Sequence, residues 1–251
     1  GGKHGPRLFA PDAIAAILAT RNTNSRRVAD MQGVKEAHTR LFEAMRQASP
    51  GDPAMGMEGT SGQLQGQSIL YRVAALSGTI EKVCETGFGA GHSGVNWLAG
   101  AHNRSLLAFD LGSLRGASVG EAFVEQEFPG RLSLIEGDSS WTVPDYTSRH
   151  PELRCDLVHV DGGHFDFVPW NDLIELARVS HAGTVLLVDD TPSIADVARA
   201  TKIATDFGLI TEVGCWNEVS LDANTKGRHL RGFCLYSIAP AALAALKAED
   251  A

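Results

Sequence analysis

Two apolar runs in the second half of the chain, Val158-His159-Val160 and Val185-Leu186-Leu187-Val188, each stop abruptly on carboxylates. Asp161 ends the first; Asp189 and Asp190 end the second. Runs this short, rich in branched residues and followed by turn-forming sequence, read as buried strands. Similar runs upstream alternate with segments of helical periodicity, and that alternation builds a parallel sheet with helices on both faces. The spacing predicts strands at 82–86, 105–110, 132–136, 157–161 and 184–188, and helices at 93–101, 119–128, 168–178 and 194–207. Two later runs, 210–219 and 232–238, flank a polar loop at 220–231 and are expected to form an antiparallel edge. A short helix at 240–247 follows.

If the first two runs lie side by side, their ends bring three carboxylates and the imidazole of His164 to one edge of the sheet. Ligands of open α/β sheets bind at that edge. Hard divalent cations prefer oxygen ligands, and Mg²⁺ keeps a few carboxylates plus water or substrate. His164, three residues past Asp161, is the candidate base.

At 251 residues the chain can hold one large α/β domain. The pattern divides it into a helical extension and lid at 1–77 and the main domain at 78–251. In the extension, helices are expected at 11–19, 34–48 and 69–76, with a Gly/Pro/Met-rich breaker at 49–66. A net charge of −8 with no basic stripe argues against nucleic acid as the main partner. No apolar run reaches membrane-spanning length and no signal-peptide core opens the chain, so the expected setting is cytoplasmic, without a membrane. Self-association stays open. Cys84, Cys155, Cys215 and Cys234 lack any CxxC spacing and are expected to be buried, reduced thiols.

A glycine-rich turn, Glu85-Thr86-Gly87-Phe88-Gly89-Ala90-Gly91-His92-Ser93-Gly94, follows the first strand and opens a helix. Glycines let the backbone approach a ligand, and the helix N-terminus favours negative charge. Two frames compete. Gly89 to Gly94 matches the GxGxxG dinucleotide fingerprint, with Asp110 about 20 residues on as the ribose acid. The earlier frame, Glu85-x-Gly87-x-Gly89-x-Gly91, resembles the first motif of class I S-adenosylmethionine-dependent methyltransferases. In that frame the turn, with Ser93, holds the methionine end of the cofactor, and Asp110 takes the ribose hydroxyls. Asp138 and Ser139, after the third strand, match the acid-plus-hydroxyl pair that such enzymes place near the adenine, although Asp138 also fits a helix N-cap.

The segments 155–164 and 183–190 carry the more specific resemblance. They look like the metal-dependent O-methyltransferases, closest to the macrocin/mycinamicin sugar type and similar in layout to the catechol and caffeoyl-CoA enzymes. The resemblance covers roughly residues 80–238. It implies a Rossmann-like methyltransferase fold, Mg²⁺ ligands Asp161, Asp189 and Asp190, and His164 as the base, with Asp161 also beside the cofactor. Catechol-type enzymes carry a Lys at the base position and commonly Asp-Asn at the pair; both differ here. The expected reaction is Mg²⁺-dependent methyl transfer from S-adenosylmethionine to a hydroxyl of a small-molecule acceptor, a sugar or natural-product diol. Rival readings are an aromatic diol as acceptor, a cofactor-binding subunit without catalysis, and an NAD-dependent dehydrogenase. His159 is expected to be a packed core residue. His92 reads equally as a cofactor contact or a loop residue, and Trp141, Trp170 and Trp216 as core or acceptor-pocket walls.

Overall fold

The computed structural model describes residues 32–52, 80–191, 193–222 and 227–248. The helices expected at 11–19 and 69–76, and nearly all of the 49–66 breaker, lie outside the described residues. Along the chain come α1 (Gln32–Ala48), β1 (Lys82–Thr86), α2 (His92–Ala99), β2 (Ser105–Asp110), α3 (Ala117–Glu127), β3 (Leu132–Glu136) and α4 (Ser139–Arg149). Then follow β4 (Cys155–Val160), α5 (Val168–Arg178), β5 (Ser180–Asp189), α6 (Ala195–Asp206), β6 (Ile210–Asp222), β7 (Gly227–Ile238) and α7 (Pro240–Ala248).

All seven strands join one sheet in the order β3-β2-β1-β4-β5-β7-β6. The first five are parallel; β7 runs antiparallel to β5, and β6 antiparallel to β7. This is the expected mostly parallel sheet with an antiparallel edge. The strand order reverses between β1 and β4, so the crevice beyond their C-terminal ends is the topological switch point, where open α/β sheets take ligands.

Strand alternation sorts the core into two layers. Val83, Leu106, Leu157, Val185 and Leu187 face one side with α2 residue Trp97 and α1 residues Leu41 and Met45. Leu107, Val158, Val160, Leu186 and Val188 face the other, against Val143, Leu173, Leu176 and Val197 of α4, α5 and α6. Helix α1 therefore buries its apolar stripe (Val34, Ala37, Leu41, Met45) in the same core as the sheet.

Three departures from the sequence reading have physical causes. Helix α4 is absent from the expected set because its sequence, SSWTVPDYTSR, is rich in residues of low helix propensity. It forms because Asp138 caps it, accepting from Ser140 N–H at 2.9 Å, and because Val143 and Thr147 are buried. The polar loop expected at 220–231 is mostly strand, since β6 and β7 continue pairing as far as Asp222 and Gly227. The cysteines are not free thiols: Cys84 bonds to Cys155 and Cys215 to Cys234. These partners are 71 and 19 residues apart, so no short-range spacing reveals them. No described helix is long and apolar enough to cross a membrane.

Candidate active site

The two loops that meet at the switch point are in van der Waals contact. Gly87, just past β1, has φ +87°, and a Cβ there would lie 1.8 Å from the Asp161 carbonyl oxygen. Only glycine lets the turn sit against the end of β4. Asp161 N–H in turn donates to Thr86 C=O at 3.0 Å. Asp110, at the end of β2, clamps the turn from the other side: its carboxylate accepts from Gly89 N–H at 2.8 Å and Gly112 N–H at 2.7 Å.

Asp138 is the α4 N-cap and Ser139 is that helix's first residue. Glu85 and Ser93 are directed inward instead. The Glu85 carboxylate is fully buried and accepts from Ser93 Oγ at 3.1 Å and Trp97 Nε1 at 2.8 Å, with His159 Nδ1 at 3.2 Å. His92 is also buried, stacked parallel to His38 of α1 at 5.8 Å.

The acidic cluster assembles from both loops. His164 Nε2 lies 3.7 Å from Asp161 Oδ1 and 3.6 Å from Asp190 Oδ2, beyond hydrogen-bond reach of either. That nitrogen is buried and makes no hydrogen bond. Asp189 and Asp190 are consecutive, and on a regular strand their side chains would point to opposite faces. Asp190 instead adopts a left-handed φ of +56°, which Asp tolerates better than most residues. Both carboxylates thereby approach Asp161: one oxygen each of Asp161 and Asp190 lies within 4.8 Å of the other and of His164, and one each of Asp161 and Asp189 lies likewise with His159. Asp190 does not cap the next helix, whose N-cap is Ile194.

Electrostatics follow from that crowding. Burial, then the charges of Asp161 and Asp190, push the Asp189 carboxyl up to about 8. The neighbouring Asp161 carboxylate, aided by Asp190 and Asp189, holds the His164 imidazole above its usual range against the opposing effect of burial. Burial pushes His159 down, but Glu85, Asp161 and Asp189 outweigh it and the net direction is upward. Three carboxylates this close repel one another unless a cation lies among them, and the oxygen-rich donor set with an orphaned imidazole nitrogen fits a divalent metal.

Two features escape sequence reasoning. Asp172, on the buried face of α5 beside Leu173 and Leu176, is 1 % exposed, and neither carboxylate oxygen has a hydrogen-bond partner. Burial raises it to about 6, opposed by the nearby hydroxyls of Ser139 and Thr86. It lies under the β4–α5 loop: a Cβ on Gly162 would meet Asp172 Oδ2 at 2.5 Å. A charge interrupting the apolar stripe of α5 is the signal that marks it. Second, Leu111, Trp141, Phe165 and Phe167 are more than half exposed. They follow β2, β3 and β4 in the chain. Trp141 is no core residue, whereas Trp170, on α5, packs partly buried against the core layer beneath that helix; the side chain of Trp216 is outside the described set.

Residues 84–191 match a family described as "Methyltransferase domain". No curated protein matches the sequence. Among solved structures, the chain is similar to an O-methyltransferase from Bacillus cereus in complex with S-adenosylhomocysteine, at 15% identity over 80% of this chain and 91% of that one, TM-score 0.61. It is similar also to the O-methyltransferase TomG from Streptomyces achromogenes, involved in tomaymycin synthesis and solved with S-adenosylmethionine (19% identity, 81% and 89% covered, TM-score 0.58). A third is a Podospora anserina methyltransferase bound to S-adenosylhomocysteine (13% identity, 95% and 99% covered, TM-score 0.58). Residues 84–191 thus match a methyltransferase-domain family, and the strand order and switch-point crevice are those of the Rossmann-like methyltransferase fold.

Proposed function

We propose that this protein transfers a methyl group from S-adenosylmethionine to a hydroxyl of a small molecule, a sugar or natural-product diol, with the help of a divalent cation such as Mg²⁺. The observation that carries the reading is the convergence of Asp161, His164, Asp189 and Asp190 at the switch-point crevice, directly against the glycine turn. A dehydrogenase has no use for such a cluster. When bound, the methyl donor supplies an electrophilic carbon, and the cation lowers the pKa of a hydroxyl it grips.

The chain's residues have separate tasks. Gly87, Gly89 and Gly91 give the donor a close backbone approach, and Asp110, already bonded to two backbone N–H groups, retains lone pairs for ribose hydroxyls. Asp138 and Ser139 border the adenine end. Asp161, Asp189 and Asp190 would hold the cation. His164 Nε2, which faces Asp161 and Asp190, would take the proton of the acceptor hydroxyl. Alignment of oxygen, carbon and sulfur is the protein's main contribution.

The test is paired. His164→Ala should abolish turnover while leaving the affinity for S-adenosylmethionine within a few-fold. Asp189→Ala should lose both activity and cation binding. Full wild-type activity in excess chelator would refute the metal role.

A further inference from the structure

His159 is the one member of the cluster that the reaction above leaves without a task. It lies on β4 two residues before Asp161, so both side chains leave the same face of the strand. Its register partners are Glu85 on β1 and Leu187 on β5. Asp189 lies two residues past Leu187. The three strands therefore stack a lower row (Glu85, His159, Leu187) beneath the carboxylates of Asp161 and Asp189.

The imidazole is held in one orientation. Glu85 only accepts hydrogen bonds when ionised, so the 3.2 Å contact to Nδ1 requires the proton on Nδ1. Glu85 is itself fixed by Trp97 Nε1 and Ser93 Oγ, and the Trp97 ring meets His159 edge-on at 5.6 Å. A buried carboxylate that takes Nδ1–H and turns Nε2 toward a ligand set is the arrangement that orients metal-binding histidines. Here Nε2 points at Asp161 Oδ2 from 4.0 Å, too far for a hydrogen bond. A ring nitrogen of His159 and one oxygen each of Asp161 and Asp189 lie within 4.8 Å of one another, so a cation with bonds of about 2.0–2.2 Å could gather them after a small inward movement of the side chains. Asp161 divides its oxygens: Oδ2 faces His159, and Oδ1 faces His164.

We propose that His159 is a nitrogen ligand of the catalytic cation, so that the site favours a first-row transition ion such as Fe²⁺, Co²⁺ or Zn²⁺ over Mg²⁺. Imidazole suits those ions, whereas Mg²⁺ is served by oxygen alone. His164 is thereby left free for the proton, and Glu85 becomes a positioning residue for the metal rather than a contact of the methyl donor. The inference rests on the metal-dependent reading above but is separable from it.

Pulsed electron paramagnetic resonance on protein labelled with ¹⁵N-histidine and loaded with Mn²⁺ reports directly bound nitrogen. Coupling to ¹⁵N is expected in the wild type and in His164→Gln, and its loss in His159→Gln. Calorimetric titrations with Co²⁺ and Mg²⁺ should show preference for Co²⁺, reduced roughly 10- to 100-fold in His159→Gln and similarly in Glu85→Gln. Should His159→Gln fail to fold, the signal in His164→Gln decides alone, since His159 is then the only imidazole left among the cluster's ligand groups. Mn²⁺ binding without nitrogen coupling in His164→Gln would overturn the inference and leave the metal-dependent reading intact. If Mn²⁺, Co²⁺ and Mg²⁺ all fail to bind the wild type, both fall.

Discussion

Asp172 shows how a single buried side chain can cost stability. Its carboxyl is raised from 3.8 to about 6, so the folded protein holds a proton that the unfolded chain releases at lower pH. The stabilisation is fully present below about pH 4 and is lost as pH rises through 6. Two pKa units amount to roughly 3 kcal/mol, an upper figure for the loss by neutral pH. Asp172→Asn, which removes the charge and keeps the shape, should therefore match the wild type near pH 4 and unfold at higher temperature than it at pH 7.5. Thermal melts across that range check this, and parallel curves would contradict it. At this scale the sequence was most legible where a carboxylate ended an apolar run: Asp161, Asp189 and Asp190 stand out for that reason, and they do converge. It was least legible where direction mattered. Glu85 belongs to the glycine motif by position, yet strand alternation turns it inward to Trp97 and His159. No one-dimensional pattern distinguishes a buried hub from a ligand contact when both are acidic.

At the scale of elements, the β1–α2 and β4–α5 loops act as one unit because Gly87 is seated on the Asp161 carbonyl. Gly87→Ala adds a methyl into that contact at a left-handed φ and should cost about 3 kcal/mol or more. Because the displaced backbone is that of Asp161, affinities for S-adenosylmethionine and for the cation should fall together. Gly130→Ala is the control: its φ is +70° with nothing within 4 Å of a Cβ, so strain alone, of order 1 kcal/mol, should appear and binding should be unchanged. Comparing melting temperatures and calorimetric affinities of the two variants separates loop coupling from simple backbone strain. The parallel strands were legible to within about two residues at most ends, since buried strands are bounded by turn residues. Helix α4 was not, because its stability comes from a cap and from tertiary burial of Val143 and Thr147 rather than from propensity. The β6–β7 hairpin ran past its apolar positions because backbone pairing, once started, continues through polar residues.

For the molecule as a whole, the clearest lesson is the sulfur chemistry. Four scattered cysteines in a chain without CxxC read as reduced thiols, but the sheet brings them together in pairs. Denatured, unreduced protein treated with an alkylating reagent should gain no label on its cysteines, and four labels after reduction; mass spectrometry reads both. Reduction should lower the melting temperature, each bridge contributing about 2–4 kcal/mol. Fold class was the most legible property at this scale, since strand and helix alternation leaves few topologies. The exposed apolar side chains Leu111, Trp141, Phe165 and Phe167 were not legible, because they come from four separate positions with no shared motif.

The proposed reaction requires one crevice to bind a methyl donor beside a cation. Calorimetric titration of S-adenosylmethionine and of NAD⁺ into the wild type and into Asp161→Ala, each with and without a divalent cation, tests it most directly. Saturable 1:1 binding of S-adenosylmethionine alone, weakened in Asp161→Ala together with the cation affinity, is the predicted result. Binding of NAD⁺ with no heat from S-adenosylmethionine, or an Asp161→Ala protein that binds donor and cation as the wild type does, would contradict it.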